Sequence, residues 1–351
     1  MVIVFAILLF SLLIFIHELG HFIAAKLSGV QVNEFAMFMG PAILKWGKGE
    51  TQYSIRCIPI GGYCAMEGEN EETDNPRSFQ KAAWWKRLII LAAGSAANFI
   101  AGLLIFLLVF FPAEKIATPV IVEAAPGCTV VSEEGLHVGD RFLAINGERI
   151  YVSSNVTMLL GLEQADTYDI LVERDGKEVL LDDFKMQTHL FDNGDGTQSR
   201  RYGFTFGVED ADFGKVLELT WNTAIDTVRT VRLSLQMLLT GKASFSDLSG
   251  PVGIVQIMSD TAAASETAWD AFMNVLYFGG FIAINLSVMN LLPIPALDGG
   301  RIVGLLLTTV IEKITRKKLS SKVETYIHGV GMVLLLALMA IIMFKDIFAL
   351  F

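Results

Sequence analysis

Two histidines and a glutamate near the N-terminus have the residue types and the spacing of a metal site. His17 and His21 are four residues apart, and Glu18 directly follows the first histidine. On a helix of about 3.6 residues per turn, positions i and i+4 lie roughly 40° apart, so both imidazoles can face one ion. A carboxylate beside the first ligand can hold a water molecule that the metal polarises. The pattern therefore predicts a zinc site with a carboxylate beside the metal-bound water.

These three groups lie within an apolar segment. Residues 1–16 contain no charged side chain, and the apolar run resumes in residues 22–25. Ionisable groups are costly inside a bilayer, so they indicate a functional site by default. The alternative is that they only hydrogen-bond to neighbouring helices, but three such groups without a metal would lack compensation for their burial. The sequence thus points to zinc chemistry within a membrane.

Four apolar stretches meet the need for about 20 apolar residues to cross a bilayer. The chain has 351 residues, of which 53% are hydrophobic, and this is too apolar for an ordinary soluble enzyme. The first stretch has no basic residues before it and no small-residue cleavage site, so we do not expect it to be a removable signal peptide. The predicted spans are residues 2–25, 88–111, 272–292 and 330–348.

The charged residues predict the topology. Basic side chains cluster in residues 26–87 and 313–322, whereas residues 113–212 carry 19 acidic and 8 basic side chains, a net charge of −11. The positive-inside rule places the basic loops in the cytoplasm and the acidic region and both termini outside it. His17 follows roughly 16 residues at about 1.5 Å each, so the site is expected about 24 Å into a core about 30 Å thick, toward the cytoplasmic face.

The acidic region is predicted to contain short strands separated by turns. Asn146-Gly147 and Asp175-Gly176 are hairpin signals, because these residue pairs tolerate positive φ. Residues 135–147, Gly-Leu-His-Val-Gly-Asp-Arg-Phe-Leu-Ala-Ile-Asn-Gly, resemble the core of PDZ domains. Such domains can take an extended peptide by strand addition to a sheet edge.

A third metal ligand is needed, because a catalytic zinc site usually has three protein ligands and a water. Asp298 lies in the segment Asn-Leu-Leu-Pro-Ile-Pro-Ala-Leu-Asp-Gly-Gly of residues 290–300, after the third span. Two prolines break a helix there, which a membrane tolerates only where protein or a cavity receives the freed backbone groups. An interfacial helix cap is the alternative role for Asp298, but the His-Glu-x-x-His motif favours the ligand.

Taken in chain order, the motifs resemble those of the site-2 protease family, within it the bacterial regulator-of-sigma-E type with one PDZ domain. The resemblance implies His17, His21 and Asp298 as zinc ligands and Glu18 as the catalytic carboxylate. It rests on His17-Glu18-Leu19-Gly20-His21, Gly94-Ser-Ala-Ala-Asn98-Phe99, the PDZ core, Leu297-Asp298-Gly299-Gly300, and the flanking segments 15–22 and 56–63.

The resemblance also implies that Asn98 and Asn290 lie near the substrate, and we expect Gly61 and Gly62 to contact it as well. Interhelical packing is the alternative role for each asparagine. The chain departs from the family at two positions. Ser95 stands where the family often has proline, and Arg301 stands where histidine is common. Neither departure touches an expected ligand or the expected base.

The expected fold is a polytopic α-helical membrane protein of about four transmembrane segments, with a membrane-associated β-hairpin or sheet in residues 30–65 and an inserted extracytoplasmic PDZ-like β domain. The expected domains are residues 1–112, the N-terminal half of the membrane core; 113–200, the PDZ domain; 201–270, a linker with an amphipathic helix over 213–239 lying against the membrane surface; and 271–351, the C-terminal half of the core.

The expected function is that of an intramembrane zinc endopeptidase with one Zn²⁺ per chain in a bacterial plasma membrane. Its partners would be the lipid bilayer and single-span membrane proteins trimmed beforehand by another protease, such as anti-sigma factors or remnant signal peptides, and no nucleic acid. Two other classes stay open, a non-catalytic membrane scaffold with a PDZ domain and a zinc transporter. Transporters more often show repeated halves and several intramembrane charges.

Overall fold

The computed structural model describes residues 2–69, 73–163, 165–192, 197–244, 250–316 and 321–348. The chain forms two compact units, one of Met1–Val109 with Thr227–Phe351 and one of Phe110–Asp226. Among the described residues, four helices are long and apolar enough to cross a membrane, and they match the predicted spans to within four residues at each end. They are Val4–Ser28, Trp84–Phe110, Ala268–Asn290 and Tyr326–Phe348.

The N-terminal half contains the sheet predicted for residues 30–65. The strands bend where the backbone takes positive φ, at Phe38, Gly40 and Gly61. Because of the bends, both ends of the second strand lie beside the start of the first strand. Glu34 pairs with Gln52 on one side and with Ala65 on the other. The elements are α1 (Val2–Ser28), β1 (Val32–Trp46), β2 (Gln52–Met66) and α2 (Trp84–Phe110).

Apolar and ionic contacts hold this sheet against α1. The Phe35 ring lies 5.5 Å from the Phe15 ring and 4.9 Å from the Phe22 ring, centroid to centroid. At the C-terminal end of α1, the Glu50 carboxylate accepts hydrogen bonds from Lys26 and Arg77. These two hydrogen bonds lower the pKa of Glu50 to about 2. The β1–β2 turn is therefore tied to the end of the helix that carries the histidines.

The C-terminal half has the helix break that the two prolines predict. The third apolar helix ends at Asn290, and the next begins at Asp298 after Leu297, whose side chain makes no capping hydrogen bond. A Cβ atom on Gly299 would collide with the Leu291 carbonyl oxygen, so the loop folds directly onto the first helical turn. The elements are α5 (Pro251–Ala263), α6 (Ala268–Asn290), α7 (Asp298–Thr315) and α8 (Ser321–Phe348). No helix was predicted where α5 lies.

The elements of the second unit are β3 (Lys115–Ala124), β4 (Arg141–Ile145), β5 (Glu148–Arg149), α3 (Ser154–Glu163), β6 (Thr167–Arg174), β7 (Lys177–Lys185), β8 (His189–Asp192), β9 (Gln198–Arg201) and β10 (Phe204–Asp210). Its main antiparallel sheet has the strand order β10-β3-β4-β6-β7, and β5 pairs with β4. Both predicted hairpin turns are confirmed, because Asn146-Gly147 and Asp175-Gly176 all have positive φ and join paired strands.

A buried ion pair organises the segment that resembles a PDZ core. Asp140 is fully buried, and Arg174 donates to both of its carboxylate oxygens at 2.8 and 2.7 Å. The same guanidinium donates to the Gly135 carbonyl oxygen at 2.8 Å, and the His137 amide donates to Asp140. A buried carboxylate that is satisfied in this way fixes the turn before β4.

The inserted unit extends past the predicted boundary at residue 200. β10 pairs with β3 from Phe204↔Ala124 to Asp210↔Lys115, so the last strand of the sheet follows that boundary. The compact unit then continues to Asp226. α4 (Phe213–Leu239) coincides with the predicted amphipathic helix and spans the limit between the two units.

Candidate metal centre

The expected ligands from α1 and α7 meet at one point. Asp298 Oδ2 lies 3.1 Å from His17 Nε2 and 3.2 Å from His21 Nε2, and the two Nε2 atoms are 3.2 Å apart. One turn of helix separates the histidines, and the proline-broken loop directs the start of α7 toward them. The three atoms therefore form a nearly equilateral triangle. The triangle is sheltered from solvent, since His21 is only 7% exposed.

The hydrogen bonds around His21 leave acceptor atoms facing one another. His21 Nδ1 lies 2.8 Å from the Ile90 carbonyl oxygen of α2, and a carbonyl only accepts, so Nδ1 carries the hydrogen. In the neutral ring Nε2 then presents a lone pair toward the Asp298 carboxylate. Asp298 Oδ2 is buried and has no directed hydrogen bond. Converging acceptors of this kind are suited to hold a cation between them.

The size of the triangle fits zinc. Zn–N and Zn–O bonds of about 2.0–2.2 Å at tetrahedral angles place neighbouring ligand atoms about 3.3–3.5 Å apart. The observed separations of 3.1–3.2 Å are close to this edge. Two imidazoles with one carboxylate also form a usual ligand set of catalytic zinc, which leaves one position for water. His17, His21 and Asp298 are the residues that would hold the ion.

The two imidazoles pack against Gly94 of α2. A Cβ atom at this position would lie 2.7 Å from His17 Cε1 and 2.8 Å from His21 Cε1, and it would collide with His21 Nε2. Any side chain here would displace the ring nitrogens from the triangle. The spacing of the sequence motif gives no sign of this requirement.

The two expected substrate-contacting asparagines lie on the helices around the triangle. The Asn290 amide lies 3.4 Å from His17 Nδ1. When His17 Nε2 faces a metal, Nδ1 carries the hydrogen, and a 180° turn of the amide presents Oδ1 to accept it. Asn98 is 1% exposed, lies one helical turn after Gly94, and its Oδ1 has no partner among the described residues.

The sheet brings one of the two expected glycines to Glu18. A Cβ atom on Gly62 of β2 would lie 3.7 Å from Glu18 Cγ, whereas one on Gly61 would meet the side chain of Met39. The structure therefore places Gly62, and not Gly61, beside the expected catalytic carboxylate. Gly61 instead supplies the positive φ of 79° at the bend of β2.

A polar cluster fixes the shape of this sheet. Glu34 accepts hydrogen bonds of 2.7–2.8 Å from Ser54, Arg56 and Tyr63. Burial raises the pKa of Glu34, but the three hydrogen bonds outweigh it and hold the pKa below its usual value. Burial and the bond to Glu34 raise the pKa of Tyr63 to about 12. Arg56 also donates to the Gly40 carbonyl oxygen at 2.6 Å, which holds the bend of β1.

Of the two departures from the family pattern, the Arg301 side chain has an ion-pair partner, whereas the buried Ser95 hydroxyl has no hydrogen-bond partner among the described residues. Arg301 of α7 forms an ion pair with Glu69, which lies just after β2, so the helix carrying Asp298 is tied to the end of the sheet. The carbonyl oxygen of Ser95 accepts a hydrogen bond of 2.7 Å from Ser287 of α6. These contacts join elements around the centre without entering the ligand triangle.

The comparisons with known proteins agree with a membrane-embedded metalloprotease, the class that four apolar helices and a buried His-His-Asp cluster define. The sequence pattern of peptidase family M50 matches residues 5–338. The chain therefore belongs to peptidase family M50, the site-2 protease family, and it is a zinc metalloprotease. This confirms the resemblance to the site-2 protease family that the motifs indicated.

Full-length relatives support this assignment. A Clostridium acetobutylicum protein, provisionally named a zinc metalloprotease, is 35% identical over 348 residues, covering 98% of this chain and 97% of the relative. A Fusobacterium nucleatum protein with the same provisional name is 34% identical over 357 residues, covering 99% and 98%. The zinc metalloprotease RasP of Geobacillus kaustophilus is 27% identical over 424 residues, covering 97% and 96%.

The packing at Gly94 predicts that Gly94→Ala weakens zinc binding about 10- to 100-fold, the range typical of changes next to metal ligands. The added methyl group displaces both imidazoles. Zinc affinity of the purified full-length protein, measured by chelator competition, checks this. Gly161→Ala is the matched control, because it adds the same methyl group to a helix where nothing lies within 4 Å. Wild-type zinc affinity in Gly94→Ala would contradict the prediction.

Proposed function

We propose that this zinc metalloprotease is an intramembrane endopeptidase that cleaves single-span membrane proteins in or near their transmembrane segments. The observation that carries the proposal is the convergence of His17, His21 and Asp298 beside Glu18, all four at or next to apolar helices. One zinc ion per chain would be held by the three ligands. Anti-sigma factors and remnant signal peptides are the substrate types that the family resemblance implies.

Glu18 is the group that moves protons in this proposal. Bound zinc would supply a polarised water and a charge that stabilises the developing oxyanion. The Glu18 carboxylate takes the proton of the attacking water and later delivers it to the leaving amine. Its position one residue after His17 keeps it at the centre while its own atoms stay outside the ligand triangle.

The substrate must present an unwound backbone, because a transmembrane helix hydrogen-bonds its own carbonyl groups. The segment 62–66 of β2 pairs with β1 on one side only within the described residues, and it begins beside Glu18. It can therefore receive a substrate segment as an added strand. The buried Asn98 amide, whose Oδ1 has no protein partner among the described residues, is suited to hydrogen-bond the exposed substrate backbone.

The inserted unit is proposed to be an extracytoplasmic PDZ-like domain that controls which substrates reach the site. Its charge and the basic loops support this topology through the positive-inside rule. The domain either excludes proteins that still carry a bulky external domain or recruits trimmed proteins by their new C-terminus. In either case an earlier protease acts first on the same substrate.

The two other classes explain fewer of the observations. A non-catalytic scaffold has no need of a carboxylate beside three converging ligands. A zinc transporter needs several sites along a path, but the described residues contain a single cluster of His, Cys, Asp or Glu side chains close enough to hold a metal. Proteolysis uses the ligands, the adjacent base and the sheet edge together.

The proposed base predicts that Glu18→Gln lowers cleavage of a co-expressed single-span test protein by about 10²- to 10⁴-fold, the usual contribution of general base catalysis. Zinc content should stay at the wild-type value, because the ligands are unchanged. Immunoblotting of the test protein and elemental analysis of the purified variant measure the two quantities. Equal processing by wild type and Glu18→Gln would refute the protease proposal.

The strand-addition proposal predicts that proline at the edge beside Glu18 impairs cleavage and spares zinc. The variants are Gly62→Pro, Tyr63→Pro and Cys64→Pro. Successive N–H groups of a strand point alternately toward β1 and toward the free edge, so the set covers both directions. A variant that removes an N–H from the free edge should cleave at least about tenfold more slowly, the value of one hydrogen bond. Ile43→Pro, Leu44→Pro and Lys45→Pro are the matched controls at the opposite edge. If every zinc-loaded variant of the first set cleaves like wild type, the edge does not bind substrate.

Deletion of the inserted sheet distinguishes exclusion from recruitment. Lys115 and Asp210 are paired residues at the ends of β3 and β10, so a short Gly-Ser linker can replace residues 115–210 without separating the flanking chain ends. Premature cleavage of untrimmed test protein indicates exclusion, and loss of cleavage of pre-trimmed protein indicates recruitment. Unchanged cleavage of both would contradict any role of the domain in selecting substrates.

A further inference from the structure

A fifth histidine lies within the last apolar helix and outside the ligand triangle. His328 is the third residue of the span Tyr326–Phe348, and its side chain is half-buried. An imidazole in such a segment is rare unless it has a functional or structural partner. Its contact with the loop before α7 identifies this partner.

His328 accepts a hydrogen bond from the backbone of the loop that carries Asp298. The Ala296 amide nitrogen lies 3.2 Å from His328 Nδ1. An amide N–H only donates, so Nδ1 is the acceptor and the ring hydrogen is on Nε2. Without this acceptor, the Ala296 amide would lose its hydrogen bond next to an apolar helix, which destabilises the loop.

A second contact presses the same loop against α8. Gly331, three residues after His328, faces Pro295, and a Cβ atom on Gly331 would lie 2.8 Å from the Pro295 carbonyl carbon and oxygen. The helix and the loop therefore touch backbone to backbone. Positions i and i+3 share a helix face, so His328 and Gly331 form one surface.

The loop needs such support, because its backbone is strained two residues before the ligand. Ala296 has a φ of 82°, in the left-handed region that residues with a Cβ atom seldom adopt. A backbone held there is strained, and the conformation persists only where the surroundings impose it. The chain direction at Ala296 determines where α7 begins and hence where Asp298 Oδ2 lies.

We propose that His328 is a positioning residue of the metal centre, which holds the Ala296 backbone so that Asp298 reaches His17 and His21. This inference rests on the proposed role of Asp298 as a zinc ligand. It assigns to the last apolar helix a part in metal binding, although that helix supplies no ligand. The role requires a hydrogen-bond acceptor for the Ala296 amide at the place of His328 Nδ1.

Three substitutions test the position of the acceptor. In His328→Asn the amide Oδ1 takes the place of Nδ1, in His328→Gln the oxygen lies near the place of Nε2, and His328→Leu has no acceptor. We expect zinc affinity near the wild-type value in His328→Asn and about tenfold weaker in the other two. Gly329→Ala, with nothing within 4 Å, is the control for a change in this helix.

Zinc affinity by chelator competition and the visible spectrum of the Co²⁺-substituted protein are the readouts, with Asp298→Asn measured alongside. A changed Co²⁺ spectrum in His328→Leu and a wild-type spectrum in His328→Asn support the positioning role. If Asp298→Asn loses zinc while His328→Leu and His328→Gln keep it, the positioning role is refuted and the proposed function stands. If Asp298→Asn binds zinc like wild type, both proposals fall.

Discussion

The structure depends on one electrostatic constraint, which is that lone pairs from His17, His21 and Asp298 meet at 3.1–3.2 Å inside a largely apolar set of helices. Acceptor atoms at this distance repel one another and cannot be hydrated where they lie, so they need a cation. The surrounding contacts serve to hold them there. The Ile90 carbonyl turns one imidazole, the Asn290 amide lies against the other, and the folded loop before α7 aims the carboxylate.

Close backbone packing around the centre follows from this constraint. In a membrane, helices gain little from burying apolar side chains against each other, and small residues allow the dispersion contacts and backbone hydrogen bonds that hold them together. Gly94 gives space to the two imidazoles, and Gly299 lets the loop lie on the first turn of α7. These positions have no chemical function of their own, yet a methyl group at either one would collide with an imidazole or with the loop before Asp298.

The proposed cleavage of a membrane substrate also requires an exposed backbone beside a sheltered charge. The bent sheet offers this combination, because its polar cluster around Glu34 stabilises the bends while the segment from Gly62 runs past Glu18. The ion pair of Glu69 with Arg301 joins the end of this sheet to the helix that carries Asp298. The bent sheet and the cluster of His17, His21 and Asp298 are therefore connected within one unit of the chain.

Local sequence was sufficient for the apolar spans, the i and i+4 histidines, the two Asn-Gly and Asp-Gly turns and the proline break before Asp298, because hydropathy, helical period and backbone preference act over a few residues. Contacts between distant segments were decided only by the tertiary structure. The fit of Gly94 and the orienting carbonyl of Ile90 depend on how α2 packs on α1. β10 follows residue 200 but belongs to the inserted sheet, because it pairs with β3, which lies much earlier in the chain. His328 fell just before the predicted fourth span, and only the folded chain brings it to Ala296.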